Sequence, residues 1–523
     1  MRLQFGMSTL TADTTQPTTV PTRRILSAQQ FVNLITFRTP DQYNEFYSEH
    51  EELGLIILIK DVAISEAVEL SEDVIIEHFL VIESGVFSSI HLNGCIFRKD
   101  VRIRDGTFQN GFKISQGTVQ GEFWVEGGNF QGDFQIEDGL FINDFIIYGG
   151  AFEGDFRIQS GQFNGIFGIY GGDFRNNFWL NEGTFHQEFR IEGGTIQNEF
   201  NLKEGYVNSL YIKGLVAKLT LSINRDLLIN NLTISGTVPK DSLLQIRGHL
   251  CSLSFIDVQN FGTIILNELS YRTQLYIPES VTLASTSDKN SVNKPELSIE
   301  NSDLGKTTFI NCDLSGFGLK FLSSKITDVF VTGTQMPREI TTLDARQQQL
   351  GYSQIKKIYE ARGDRVESNR YLAREMEAYQ VTLSWGSWSG FWEKLNLSLN
   401  KYSTYYGQSW QRGLLSTLLV NAFFFSLYCH ALGYELTYPN QHTLPLFWKL
   451  ASYILEFLNP IHKADYVAEQ LMSDDLITNL SYVHSGTLVN GWARIIEGVS
   501  RIFIAYFVYQ FIQAFRKHGK SSG

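Results

Sequence analysis

Gly128-Asn-Phe-Gln-Gly-Asp-Phe-Gln-Ile-Glu-Asp138 runs without a gap into Gly139-Leu-Phe-Ile-Asn-Asp-Phe-Ile-Ile-Tyr-Gly149, and the two stretches carry the same residue types at the same places. Read outward from them, the unit G-x-F-x-x-x-F-x-I-x-x recurs every eleven residues. Its first ladder runs Phe97, Phe108, Val119, Phe130, Phe141, Phe152, Phe163, Phe174, Phe185, Ile196 and Val207. A second runs from Val101 and Phe112 to Phe200, a third from Ile103 and Ile114 to Leu202, and Gly marks each corner from Gly106 to Gly205. Spacings of four and two have strand parity, and aromatic or β-branched residues beside Gly and Asn corners read as short strands joined by turns. A helix would place Gly in every third turn, at about 1 kcal/mol each. The reading is a parallel β-helix, a β-solenoid of eleven-residue repeats. One repeat is too narrow for two Phe rings, so two repeats, about 22 residues, should make one coil. At about 4.8 Å per coil, residues 97 to 207 should rise about 24 Å.

The chain holds 523 residues, 39 of them Phe, with 43 basic against 55 acidic side chains and a net charge of −12. No basic stripe appears, which excludes a nucleic-acid grip built on phosphate neutralisation. Cys95, Cys251, Cys312 and Cys429 are far apart, without the spacing of a disulfide scaffold or zinc site. Reduced thiols, no metal and no cofactor are expected. Between Gly106 and Gly214, 14 acidic residues face 6 basic ones. Acids recur before the second Phe at Glu122, Asp133, Asp144, Asp155, Glu188 and Glu199, and read as a solvated outer edge. The same edge could receive a protein partner. No nucleophile, base and orienter stand at motif spacing, so no enzyme is expected.

Residues 1–52 read as an amino-terminal segment ending in a helical cap, with Ile25 to Glu52 helical, and 53–336 as solenoid. Leu53 to Lys60 and the stretch from Ile75 to Leu92 look like early strands. Leu219 to Met336 alternates short apolar runs with turns and ends in a near five-residue rhythm, while Ser285 to Pro295 reads as a protruding loop.

After Met336-Pro337 the period becomes helical. Residues 337–410 read as a collar: a charged hairpin turning at Gly363-Asp364, then an interfacial aromatic run of Trp385, Trp388, Trp392, Tyr402, Tyr405, Tyr406 and Trp410. Residues 411–523 read as a two-span membrane domain. Gly413 to Leu432 holds no Asp, Glu, Lys or Arg, enough to span a bilayer; a second span runs from about Ile495 to Phe515. Glu497 and Arg501, at i and i+4 with Arg494 nearby, mark an inward face, either a structural pair or, with Asn421, Gln510 and Gln513, part of a pore or gate. In the loop 435–493, Leu444 to Leu458 is too short to span. Trp448, Lys449, Glu456, Asn459 and Pro460 would place it at the interface or as a re-entrant half-helix. No T-x-G-Y-G filter follows it. Basic residues flank the spans at Lys394, Lys401, Arg412, Arg516, Lys517 and Lys520, against an acidic loop. Both termini and the solenoid should therefore be cytoplasmic, at an inner (plasma) membrane. Met1 to Arg24 lacks the apolar core of a secretory signal.

Asn301-Ser-Asp-Leu-Gly-Lys-Thr-Thr-Phe-Ile-Asn-Cys-Asp-Leu-Ser315, Ile355-Lys-Lys-Ile-Tyr-Glu-Ala-Arg-Gly-Asp364 with Arg374-Glu-Met-Glu377, Tyr405-Tyr-Gly407 and Tyr509-Gln-Phe-Ile-Gln-Ala-Phe-Arg-Lys517 together resemble bacterial pentapeptide-repeat or related β-helix membrane proteins with a two-span, ion-channel-like carboxy-terminal region. The Phe-rich coils look more like bactofilin-type solenoids. The resemblance implies a sensing or assembly solenoid coupled to an oligomeric pore in membrane lipid, as a homo-oligomer. The alternative is a membrane-anchored scaffold or interaction platform that does not conduct. The charged triad at the second span favours the pore.

Overall fold

The computed structural model describes residues 23–37, 40–51, 53–71, 74–214, 220–272, 295–432, 444–459, 461, 466–473 and 491–519. Pro460 and all of Ser285 to Pro295 except Pro295 lie outside them. The chain divides into two compact units, Met1–Gly318 with Thr332–Arg338, and Leu319–Val331 with Glu339–Gly523.

In the first unit, Phe108 pairs in parallel register with Phe130, Phe130 with Phe152 and Phe152 with Phe174. On a second sheet Phe97, Val119, Phe141, Phe163 and Phe185 follow one another in the same way. Successive eleven-residue repeats therefore alternate between two sheets, and two repeats close one coil of a parallel β-solenoid. The Phe rings form columns along the axis. Centroids lie 4.6, 4.8 and 4.6 Å apart from Phe108 through Phe130 and Phe152 to Phe174, and 5.1, 4.9 and 4.7 Å apart from Phe112 through Phe134 and Phe156 to Phe178. Neighbouring columns meet edge to face, as Phe130 and Phe134 do at 5.2 Å. Both geometries suit the ring quadrupole, and full burial of each ring contributes about 1.5–3 kcal/mol. Beyond Phe200 the filling becomes mainly aliphatic, with Leu210, Leu221, Leu232, Leu244 and Leu253 fully buried.

The two corners of each coil turn differently. Gly128, Gly150 and Gly172 have φ of +103°, whereas the opposite corner places Gln116, Asp138, Ser160 and Glu182 at φ between 52° and 59°. A tighter constraint lies just before the second Phe. A β-carbon on Gly132 or Gly154 would stand 2.4–2.5 Å from the backbone of the preceding coil. These glycines let consecutive coils approach, and the repeat pattern alone treats their positions as variable.

The aspartates just before the second ladder are not a merely solvated edge. Asp100 accepts a hydrogen bond from the Glu122 amide, Asp133 from Asp155, Asp144 from Ile166 and Asp155 from Asn177, at 2.8–3.3 Å. Each carboxylate joins its coil to the next at a bend where the strand ladder lapses. Burial pushes the Glu122 carboxyl above its ordinary range, and Asp100 and Asp144 add to the effect. A hydrogen bond from Thr195 holds Asp173 below its ordinary range.

Among the described residues at the amino-terminal end, only α1 (Ala28–Ile35) is an α-helix, started by a Ser27–Gln30 capping box. Phe31, Leu34 and Ile35 are buried, and Phe31 meets Phe87 edge to face at 5.8 Å. Pro40 interrupts the expected longer helix. Tyr47–His50 instead pairs antiparallel with Gly54–Ile59. Among later strands, Ser252 to Ile256 pairs with Glu296 to Glu300. The near five-residue rhythm buries Leu304, Phe309 and Leu314. All four cysteines are buried and outside any disulfide, and burial pushes the Cys95 thiol up to about 12.

The second unit carries α2 (Ala345–Arg362), α3 (Arg365–Thr382), α4 (Trp388–Thr404), α5 (Trp410–Ala431), α6 (Leu444–Phe457), α7 (Tyr466–Ser473) and α8 (Gly491–Gly519). Two of them, α5 and α8 through Arg516, are long and apolar enough to cross a membrane.

Candidate functional site

Within the second unit, α2 lies across the strand residues of its own unit. Gly351 lets the helix approach closely, since a β-carbon there would stand 2.6 Å from Ile340 Cδ1 and 3.2 Å from Phe321 Cγ. The strand edge beneath is closed by side chains: Gln354 Oε1 accepts from Ile326 N at 2.7 Å, Gln354 Nε2 donates to Ser324 O at 2.8 Å, and Gln347 Oε1 accepts from Ser323 N at 2.9 Å. Tyr352 Oη accepts from Ile340 N at 3.1 Å. An edge satisfied this way offers no template for another strand.

The α2–α3 turn is set by Gly363 at φ 81° and by Asp364, whose side chain caps α3. Tyr359 and Tyr371 stack at 5.5 Å, and Lys356 pairs with Glu375 at 2.7 Å where both are largely buried. Burial drives the Tyr371 hydroxyl far above its ordinary range. From α3, Glu377 pairs with Lys401 of α4 at 3.0 Å, Gln380 donates to Ser398 at 2.6 Å, and Tyr379 donates to Glu393 at 2.7 Å. The α4–α5 elbow holds Tyr405, Tyr406 and Gly407 at φ 52°, 56° and 79°. Two bulky residues in the left-handed region store backbone strain. The turn is fixed by Gly407 N donating to Thr404 Oγ1 at 3.0 Å and by Gln408 Nε2 donating to Asn369 O at 2.6 Å.

The antiparallel pair α5–α8 carries the residues that sequence reading singled out. Along α5 the buried positions are Gly413, Thr417, Asn421, Phe425, Tyr428 and Cys429. Along α8 they are Ala493, Glu497, Ser500, Ile504, Phe507, Gln510 and Ala514. At Gly413 the helices approach closely, and a β-carbon there would lie 3.2 Å from Phe511 Cα; Phe424 meets Phe503 at 5.5 Å and Trp410 meets Phe515 at 6.1 Å. Small residues at such a seam let helix backbones approach. The signal for this seam in the sequence is the four-residue spacing Gly413, Thr417, Asn421, Phe425, matched on α8 by steps of three or four.

Asn421 is fully buried and donates to Ile454 O of α6 at 2.7 Å, while its Oδ1 has no hydrogen-bond partner. Glu497 is 3% exposed and pairs with Arg501 at 2.7 Å. Gln510 is buried; Gln513 is exposed and donates to Tyr509; Arg494 is exposed. On α6, Trp448, Glu456 and the following Asn459 are exposed, whereas Tyr453 and Phe457 are buried, Phe457 meeting Phe425 at 5.6 Å. Lys449 lies on α6, and its side chain is outside the description. The structure therefore brings Asn421 and α6 together, joins Glu497 to Arg501, and leaves Arg494 and Gln513 on the surface.

The outward faces are the opposite in character. Leu415, Leu419 and Phe423 on α5, and Ile502, Ile512 and Phe515 on α8, are exposed. Among the described residues no group of three His, Cys, Asp or Glu is arranged to hold a metal ion. No protein family, curated protein or solved structure matches this chain. The likeness noted in the sequence reaches the level of architecture, a β-solenoid joined to two helices of membrane-crossing length.

Proposed function

We propose that this protein is a membrane-anchored scaffold: a β-solenoid interaction platform held to a bilayer by the α5–α8 hairpin, without enzymatic activity. The observation that carries it is the inverted polarity of that hairpin. Asn421, Glu497, Ser500 and Gln510 are turned inside a single chain, and long apolar side chains are turned outside. Polar groups buried in this way act as glue between helices in lipid, whereas pore-lining groups would need to face water. Satisfied edges and end caps also argue for a discrete platform over an open filament. The flanking basic residues support a cytoplasmic side for the solenoid and both termini, where the acidic coils would be available to a protein partner.

A second reading, an oligomeric gated pore of the two-span channel-like kind, is favoured by the Glu497–Arg501 pair inside a membrane-length helix and by Arg501 Nε, which is buried without a hydrogen-bond partner. Planar-bilayer recording of the purified full-length protein separates the two. The scaffold reading expects electrical silence. Discrete currents whose amplitude or selectivity changes with Glu497→Gln would replace it with the pore.

A further inference from the structure

The α4 helix has three faces, and two are accounted for. One meets α3 through Ser398 and Lys401. The second meets the membrane-length pair: Asn396 Oδ1 accepts from Tyr506 Oη at 3.1 Å, Ser403 O accepts from Ser416 Oγ at 3.4 Å, and Thr404 packs at Gly413. The third face is the stripe Trp388, Phe391, Trp392, Leu395, Leu399 and Tyr402, at helical spacing on one side of α4. It is uncovered at its aromatic positions, with Trp388 78% and Tyr402 80% exposed. Trp385 continues it before the helix, with Lys394 Nζ 5.0 Å from its ring centroid.

We infer that α4 is an interfacial helix, lying along the headgroup region of the bilayer with this stripe inserted and its polar faces gripping α3 and the start of α5. Three observations choose lipid as the occupant. The stripe is rich in Trp and Tyr, residues that favour the water–hydrocarbon boundary, where one end of the ring stays wet. Cations accompany it there, Lys394 over Trp385 and Arg412 over Tyr405. It also adjoins the foot of α5, where exposed Leu414, Leu415 and Leu418 continue the apolar surface. An interfacial helix of this kind sinks its apolar face about 5–10 Å into the headgroup–acyl boundary. Because α3 is tied to α4 by an ion pair and hydrogen bonds, membrane contact along α4 would fix the orientation of the helical collar.

This inference rests on the anchoring reading above, and its test separates the two. The four native cysteines are buried, so an environment-sensitive fluorophore can be attached to the full chain at Trp388→Cys or, separately, Phe423→Cys, which lies on the exposed face of α5. Each protein is placed in phosphatidylcholine–phosphatidylglycerol nanodiscs containing a quencher near the headgroup or at the acyl-chain end. The expected result is a blue-shifted label at position 388, quenched about twofold more by the headgroup-level probe than by the chain-end probe, with the opposite preference at 423. Trp392→Cys should repeat the behaviour of 388, guarding against a local effect of one substitution. A label at 388 that stays water-like while 423 is quenched overturns the interfacial helix alone. Concentration-dependent crosslinking through 388 would then assign the stripe to a second copy of the chain. A label at 423 that no probe quenches overturns the anchoring reading as well.

Discussion

The Phe-filled coils and the α5–α8 hairpin are built with opposite polarity. In the coils every ring from Phe108 to Phe185 on the repeat ladders is inside, and the charged groups Asp100, Asp133, Asp144 and Asp155 sit at bends, where they bind backbone amides of the next coil. In the hairpin Asn421, Glu497 and Ser500 are inside, and Leu419, Phe423 and Ile502 are outside. A polypeptide buries whatever its surroundings reject. Under the proposed anchoring, the contrast is that of one region meeting water and the other meeting hydrocarbon, on the same physical rule.

The largest effect is expected where the coils meet. Gly154→Val would drive a branched side chain into backbone 2.5 Å away and should cost more than about 4 kcal/mol, read as loss of cooperative thermal unfolding by circular dichroism. The comparison sharpens with one residue type placed on both sides of it. Phe134→Ala removes a ring stacked at 5.1 and 4.9 Å between two others and should cost about 3–5 kcal/mol. Phe423→Ala, on an outward face, should change stability in detergent or nanodiscs by less than about 0.5 kcal/mol. Equal losses at the two positions would erase the distinction.

Much of the first region could be read from its period, because a repeat written eleven times states which residues share a column. The glycines before the second Phe and the acids after them could not be assigned the same way. A carboxylate that binds the next coil and one that faces water occupy the same place in a repeat, and only the distance to the neighbouring amide tells them apart. Tyr47–His50 has no strand signal of its own, and its pairing partner across the turn, Gly54–Ile59, is what makes it a strand. In the hairpin, membrane-crossing length was legible from composition. Which way Asn421, Glu497 and Gln510 point was not, since α5 and α8 select each other's buried faces, and 59 residues separate Ala431 from the Gly491 that opens α8.

Smaller effects probe the polar groups. Glu497→Ala leaves Arg501 beside a vacated partner in an apolar helix and should cost about 3 kcal/mol in the membrane-bound state; Glu497→Gln, which can still accept a hydrogen bond, should cost less. Asp155→Ala strands the Asn177 amide and Arg157 at about 1–3 kcal/mol, measurable as a lowered solenoid melting temperature. The smallest expected effect is the pH response of His186, whose imidazole is held below its ordinary range by burial. The folded state binds its proton less readily than the unfolded chain, so its contribution is present above about pH 6.5 and is lost as pH falls through the folded-state value. His186→Asn should flatten that part of the melting-temperature profile.

Whether α5 and α8 hold this solenoid to a bilayer is decided by washing membranes from cells expressing the full chain with alkaline carbonate and following the protein by immunoblot. Membrane anchoring predicts that the protein stays with the membranes, and that Asn421→Leu stays with them as well, since that side chain faces the seam and not the lipid. Release of the unaltered protein into the wash, as an intact soluble species, would contradict it.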